Sequence, residues 1–373
     1  MHSLNDDSIL EYLEITNVGS VKHVAINFAK RINILAGDNG LGKTLIQEFC
    51  WWALTQKWSE SPITPRLDGT SAKSSIKYKV VGNRKGFSPY QEATFDWRKS
   101  DWVSSENSKN NPSLALYCRV DGSIATWDTM RPLKDINPIF FSREQVWNGI
   151  VQPEQGRNNY LCNGLLYDWT NWQIKESEEF DLFCKILKKL SPPDLAVGDV
   201  GQLKPGKIIR IPNDTRDIPT LEMPYGLVPI TQSSAAIKRI ISIVYLIVWT
   251  WSEHKNRVKL FGGQNLSRKL VILIDELEAH LHPQWQRIIL PALLEIQYFL
   301  EEELEIQFIL TTHSPLVLAS IEPVFDTDKD KLFHFDLDEK HQATITEMPF
   351  QKRGTVDSWL TSDLFELSLA RGR

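Results

Sequence analysis

The chain has 373 residues, 42% of them hydrophobic and 24% charged, with a net charge of −5. These proportions exclude a disordered, collagenous or membrane-embedded chain and fit a globular α/β domain or a core with a large insertion. The acidic balance excludes a general electrostatic pull toward nucleic acid and leaves only a local basic patch for that role.

Cys50, Cys118, Cys162 and Cys184 are scattered without C-x-x-C spacing, which predicts free thiols in a reducing cytoplasm. The start, Met1-His-Ser-Leu-Asn-Asp-Asp, lacks the basic and apolar regions of a signal peptide. Residues 9–28 predict two strands joined at Gly19-Ser20. The apolar run 32–36 predicts a buried strand, followed by Gly37-Asp38-Asn39-Gly40-Leu-Gly42-Lys43-Thr44 and a helical pattern over 44–58. That loop fits G-x-x-x-x-G-K-[ST], the phosphate-binding P-loop. Its glycines free the backbone to turn successive N–H groups inward as an anion nest, and the helix adds its N-terminal donors. Lys43 then places an ammonium on the β- and γ-phosphates, and the Thr44 hydroxyl is a ligand for Mg²⁺. The reading is a nucleotide site for ATP with Mg²⁺.

From about residue 60 to 135, Pro, Ser, Asn and Gly alternate with β-type runs at 76–81, 93–97 and 114–120, and Asp121-Gly122 has hairpin chemistry. This predicts a β-rich insertion packed on the nucleotide core. It shows no sustained heptads, which excludes a long coiled-coil arm. Trp51-Trp52, in a chain with 13 tryptophans, lies among Leu, Ile and Phe and reads as core rather than as a base-stacking platform. A strand is predicted over 138–142, a helix over 180–190 stopped by Ser191-Pro192-Pro193, and a loop region over 194–228.

Ser233-Ser234 precedes an apolar helix that is expected to end near His254, and small residues at a helix start favour an anion. Its most apolar run, 240–251, is too short to span a bilayer. Leu270-Val-Ile-Leu-Ile274-Asp275-Glu276 reads as a buried strand that delivers two carboxylates to the ligand edge of a parallel sheet. Asp275 suits the Mg²⁺ shell, and Glu276 suits polarisation of the attacking water. A further strand, 307–312, ends in His313-Ser314-Pro315. There Ser314 caps a helix with Pro315 in its first turn, while His313 faces the γ-phosphate.

Order and wording together resemble the ABC/SMC-like branch of the AAA-family P-loop ATPases. The segments that carry the resemblance are Gly37-Asp-Asn-Gly-Leu-Gly-Lys-Thr44, Ile274-Asp-Glu-Leu-Glu-Ala-His-Leu-His-Pro283 and Thr312-His313-Ser-Pro. Within that branch the chain is similar to the RecF, OLD and Septu (PtuA) types, the last of these bacterial defence ATPases. The resemblance implies an α/β fold, an ABC-type ATPase head with a P-loop mixed sheet flanked by helices, a β-rich insertion and no long coiled coil. Residues 1–58 would carry the N-terminal half of the head, 59–224 the insertion, β-rich and then helical, and 225–373 the C-terminal half. Ser234 would be the signature serine, which reaches the partner's γ-phosphate in a head-to-head dimer. The segment Glu278-Ala-His280-Leu-His282 would be the D-loop at that interface, and Gln145 would sense Mg²⁺ and water. Family members carry glycine after the serine and a small residue, whereas here Ala235-Ala236 follows Ser234.

Two patterns imitate metal sites. His280-x-His282 has no further ligands at zinc spacing, and Asp326-x-Asp328-x-Asp330 carries Lys331 at the glycine position of an EF-hand loop. Only 60 residues follow His313, too few for the nuclease domain of an OLD protein plus the final strands. Three readings follow. The first is an ATPase that controls a separate effector, a nuclease in anti-phage defence, through a homodimer or higher oligomer of its heads. The second is a RecF-like clamp on DNA, with Lys73, Lys77, Lys79, Arg84, Lys85 and Arg98 as its candidate basic stripe. The third is a nucleotide-gated scaffold with little turnover. None of the three involves a membrane.

Overall fold

The computed structural model describes residues 9–66, 73–81, 89–104, 114–131, 138–154, 157–192, 202–261, 266–339, 342–362 and 364–365. β1 (Ile9–Val18) and β2 (Val21–Asn27) pair antiparallel across the Gly19-Ser20 turn. β3 (Ile32–Gly37) is buried at every position and opens through the glycine loop into α1 (Lys43–Thr55). β4 (Ser75–Val81), β5 (Gln91–Asp96) and β6 (Asp101–Ser104) extend the hairpin into an antiparallel sheet ordered β2-β1-β4-β5-β6. Trp51 and Trp52 lie buried beneath it in α1, which settles them as core.

The next strands, β7 (Leu114–Cys118), β8 (Ile124–Asp128) and β9 (Ile139–Phe141), do not sit on the nucleotide core as an appendage but extend its central sheet. After them come α2 (Arg143–Asn148), the hairpin β10 (Ile150–Glu154) and β11 (Arg157–Cys162), α3 (Leu165–Lys175) and α4 (Glu178–Lys189). The predicted loop region is instead partly strand. It holds β12 (Lys204–Pro205), β13 (Ile209–Ile211), β14 (Asp214–Ile218), β15 (Thr220–Met223) and β16 (Gly226–Pro229). These strands are two to five residues long, so their turn residues outweigh any period-2 signal.

The last third supplies α5 (Ala235–Leu260), β17 (Lys269–Ile274), α6 (Pro283–Gln286), α7 (Ile289–Leu300), β18 (Glu305–Thr312), α8 (Pro315–Ile321), β19 (Asp330–Leu337), β20 (Ala343–Met348) and α9 (Val356–Leu360). α5 ends at Leu260, about 1.7 turns beyond its predicted end near His254. At 26 residues it has the length and apolar character of a membrane-crossing helix, contrary to the reading from its 240–251 run, yet 78% of its apolar window is buried inside the protein. A helix apolar on nearly every side belongs in the core of a large sheet protein.

The central sheet runs β20-β19-β3-β18-β17-β7-β8-β9. Its middle five strands, β19 to β7, are parallel, and the outer pairings are antiparallel. Period-2 alternation divides each strand between two cores. Leu270, Ile272 and Ile274 face α3, α4, α5, α7 and α8. Val271 and Leu273 face α1 and the antiparallel sheet. The parallel register aligns the C-terminal ends of β3, β17 and β18 on one edge, because Ile274 pairs with Leu310 and Thr312 with Ala36. That edge is where open parallel sheets bind ligands.

Candidate nucleotide site

The glycine loop bends where a side chain would not fit. Gly37 has φ +133°, and a Cβ there would lie 2.3 Å from the Phe335 carbonyl oxygen of β19. Gly42, with φ +96°, occupies the N-cap of α1. That helix has no side-chain cap and no acidic residue in its first turn, so its N-terminal donors remain for an anion. The Lys43 ammonium is tethered inside the loop, donating to the Gly37 carbonyl at 2.8 Å and also to the Asp38 carbonyl. Burial pushes its pKa down to about 8, and the carboxylates of Asp38, Asp275, Glu276 and Glu278 partly resist that fall. Asp38, Asn39 and Gly40 are exposed at the loop's crest. A buried cation in a nest of glycine backbone fits a polyphosphate.

Asp275, at the end of β17, accepts from the Thr44 hydroxyl at 2.9 Å through Oδ2 and from the Thr311 hydroxyl at 2.7 Å through Oδ1. The Thr44 hydroxyl and a buried carboxylate thus converge beside Lys43, a donor set suited to Mg²⁺. Thr311 is a site residue that sequence reasoning missed. Its hydroxyl also accepts from the Glu276 N–H at 2.6 Å, fixing the turn that follows the strand. Glu276 sits there with φ +47°, a left-handed conformation uncommon for a residue with a Cβ. Its half-buried carboxylate has no hydrogen bond or ion pair among the described residues. Such strain next to an unengaged acid is a mark of function rather than of stability.

Glu278 links this turn to β18. Its carboxylate accepts from the Thr312 hydroxyl at 2.6 Å and from the His313 N–H. Ser314 caps α8 with Pro315 in the first turn, as predicted. The His313 imidazole is thereby held at the same sheet edge with its ring free of protein hydrogen bonds among the described residues.

Arg239 is a second residue that the sequence did not single out. Its guanidinium donates to the carbonyls of Asp275 at 2.7 Å and Glu276 at 3.1 Å, and to those of Arg119 at 3.2 Å and Val120 at 2.9 Å. It ties α5 to the ends of β17 and β7. Ser234 caps α5, accepting from the Ile237 N–H at 3.3 Å, and is otherwise exposed. Ala235 and His280 line one cleft, so the start of α5 and the segment after Glu276 are neighbours on the surface.

Gln145 lies in the first turn of α2, and its side chain is committed locally. Ser142 N–H donates to Gln145 Oε1 at 2.9 Å, and Gln145 N–H donates to Ser142 Oγ at 3.2 Å. Ser142-x-x-Gln145 is a capping box, a spacing visible in the sequence. Of the candidate basic stripe, Lys77 lies 4.8 Å over the Tyr90 ring and Lys79 pairs with Glu11 at 3.1 Å. Arg84 and Lys85 lie outside the described residues.

Family models match both halves of this head. One, described as "AAA domain", covers residues 12–181, and another, described as "AAA domain, putative AbiEii toxin, Type IV TA system", covers residues 226–319. Over both segments the chain is thus similar to AAA-domain ATPases. Among curated proteins it is 22% identical to Septu protein PtuA of Bacillus thuringiensis over 96% of this chain and 83% of that one. A shorter segment is 36% identical to the Retron Ec83 probable ATPase of Escherichia coli, over 26% of this chain and 15% of that one. Among solved structures, the SMC head domain from Thermotoga maritima aligns over 91% of this chain and 99% of that one, with a TM-score of 0.43 and 13% identity.

Proposed function

We propose that this ATPase-family chain binds ATP with Mg²⁺ at the P-loop, hydrolyses it, and uses nucleotide-dependent pairing of two heads to control a separate effector. The observation that carries the reading is the Thr44–Asp275–Thr311 chain, which sets a metal-ligand pair beside Lys43 and leaves the adjacent Glu276 carboxylate unengaged. Lys43 and the loop amides hold the phosphates, and Gly37, Asp38, Asn39, Gly40 and Gly42 form the cradle. Mg²⁺, held by Thr44 and Asp275, would neutralise charge on the transferring phosphoryl group. Glu276 accepts the proton of the attacking water. His313 donates toward the γ-phosphate and connects its loss to β18 and, through Glu278, to the turn after Glu276.

Ser234 and His280 lie exposed on the surface. A two-fold head-to-head dimer gives them a purpose, since Ser234 of one chain then completes the site of the other. The likeness to Septu PtuA and to retron ATPases supports a place in a defence system, in which the effector, read as a nuclease, is another chain. The pairing of Lys79 with Glu11 offsets one cation of the stripe that a DNA clamp requires.

Sedimentation of Glu276→Gln protein with ATP and Mg²⁺ tests the pairing. Dimer is expected with ATP and monomer without it, and adding Ser234→Arg should restore monomer while leaving ATP binding within about twofold. Identical sedimentation of the two proteins would remove Ser234 from the interface.

A further inference from the structure

Behind the start of α5 lies a cleft with a cavity of about 50 Å³, lined by the β7–β8 turn, α2, α5 and His280 and by no P-loop residue. Its walls carry an excess of positive charge. Arg119 is matched by Glu48, Glu60 and Asp121. Arg143, Lys238 and Arg239 have no carboxylate in ion-pair contact among the described residues. Arg239 is 9% exposed, and its Nε is buried with no hydrogen-bond partner while its other nitrogens bind carbonyls. Burial disfavours its charge and the nearby Asp275, Glu276 and Glu278 carboxylates favour it, but a buried donor with no acceptor is costly. Trp147 forms an apolar wall, fixed by its Nε1 donating to Ser242 at 3.0 Å, with the Lys238 ammonium 6.0 Å from its ring centroid.

We propose that this cleft is a second anion site, separate from the P-loop, that takes a phosphate-sized oxyanion: inorganic phosphate or the phosphate of a nucleoside monophosphate. Arg239 Nε supplies the deep donor, and Arg143 and Lys238 close over the outer oxygens. The same guanidinium holds the Asp275 and Glu276 carbonyls, so an anion here sits one side chain from the hydrolytic turn.

The test uses the Lys43→Ala protein, in which the P-loop has lost its ammonium, titrated calorimetrically with inorganic phosphate and separately with AMP. One saturable site per chain is expected, weakened at least about tenfold by Arg143→Gln and by Lys238→Gln. Both substitutions are at exposed or half-buried positions, and circular dichroism checks that each variant is folded. Tighter binding of AMP than of phosphate would identify a nucleotide stacked on Trp147, and equal binding would identify free phosphate. Absence of a saturable site, or a site indifferent to both substitutions, overturns the proposal. Loss of ATP binding at the P-loop is measured separately, so failure of that reading would not be mistaken for failure of this one.

Discussion

The Thr44 hydroxyl donates a 2.9 Å hydrogen bond to Asp275 across 231 residues of sequence. It is the point where the two halves of the head become one site. β3 delivers Thr44 through the glycine loop, β17 delivers Asp275, and β18 between them contributes Thr311 as the second anchor of the same carboxylate.

Replacing Lys43 removes the one buried cation of the loop. Lys43→Ala should weaken ATP binding at least about a hundredfold, as expected for a desolvated charge-assisted contact. The fold should be preserved, because Lys43 bonds only to the loop's own carbonyls. Fluorescent-nucleotide titration with a parallel thermal melt checks both halves of that statement, and undiminished affinity would contradict the P-loop reading.

The same lysine predicts a pH dependence. Its pKa is about 8 in the nucleotide-free fold against an ordinary 10.5, so between those values the unfolded chain holds more protons than the folded one. Lys43's contribution to stability must therefore rise with pH across that window, because its buried ammonium is destabilising below it. Polyphosphate favours the charged form, so ATP affinity should fall as pH climbs above about 8. The measurement is the difference in unfolding free energy between wild type and Lys43→Met at several pH values. A flat difference from about pH 7 to 10 would show that Lys43 titrates normally.

Much of this site was legible because its chemistry is local in sequence. The P-loop, the β17 carboxylates and Thr312-His313-Ser-Pro315 each place several functional groups within a few residues, and a buried apolar strand announces each one. Long-range partners were not legible. Arg239 looks like an ordinary helix cation, and its role depends on α5 crossing the ends of β7 and β17. Thr311 is one hydroxyl in an apolar strand until the parallel register sets it beside Asp275. Gln145 has a second, local role that the Ser142-x-x-Gln145 spacing carries, a capping box at the start of α2. The short strands between Lys204 and Pro229 were hidden because turn residues dominate so brief a pattern.

Arg239 acts as a positioning residue, and its planar fork explains why lysine should not replace it. Arg239→Lys keeps the charge but cannot reach four carbonyls from two strand ends. Turnover should fall about tenfold or more with ATP affinity little changed, and an unchanged kcat would leave Arg239 a purely structural tie. The split between kcat and ATP affinity separates positioning from general destabilisation, which would lower folded protein without altering kcat per folded site.

The central claim is that Glu276 is the hydrolytic carboxylate of this site, and the most direct measurement is steady-state phosphate release by Glu276→Gln alongside its ATP affinity. The amide preserves shape and the left-handed turn but cannot accept the water's proton. Turnover should drop by about 10²–10⁴-fold, with ATP bound as tightly as by wild type. Turnover at the wild-type rate with ATP still bound would contradict the account and return Glu276 to a structural role.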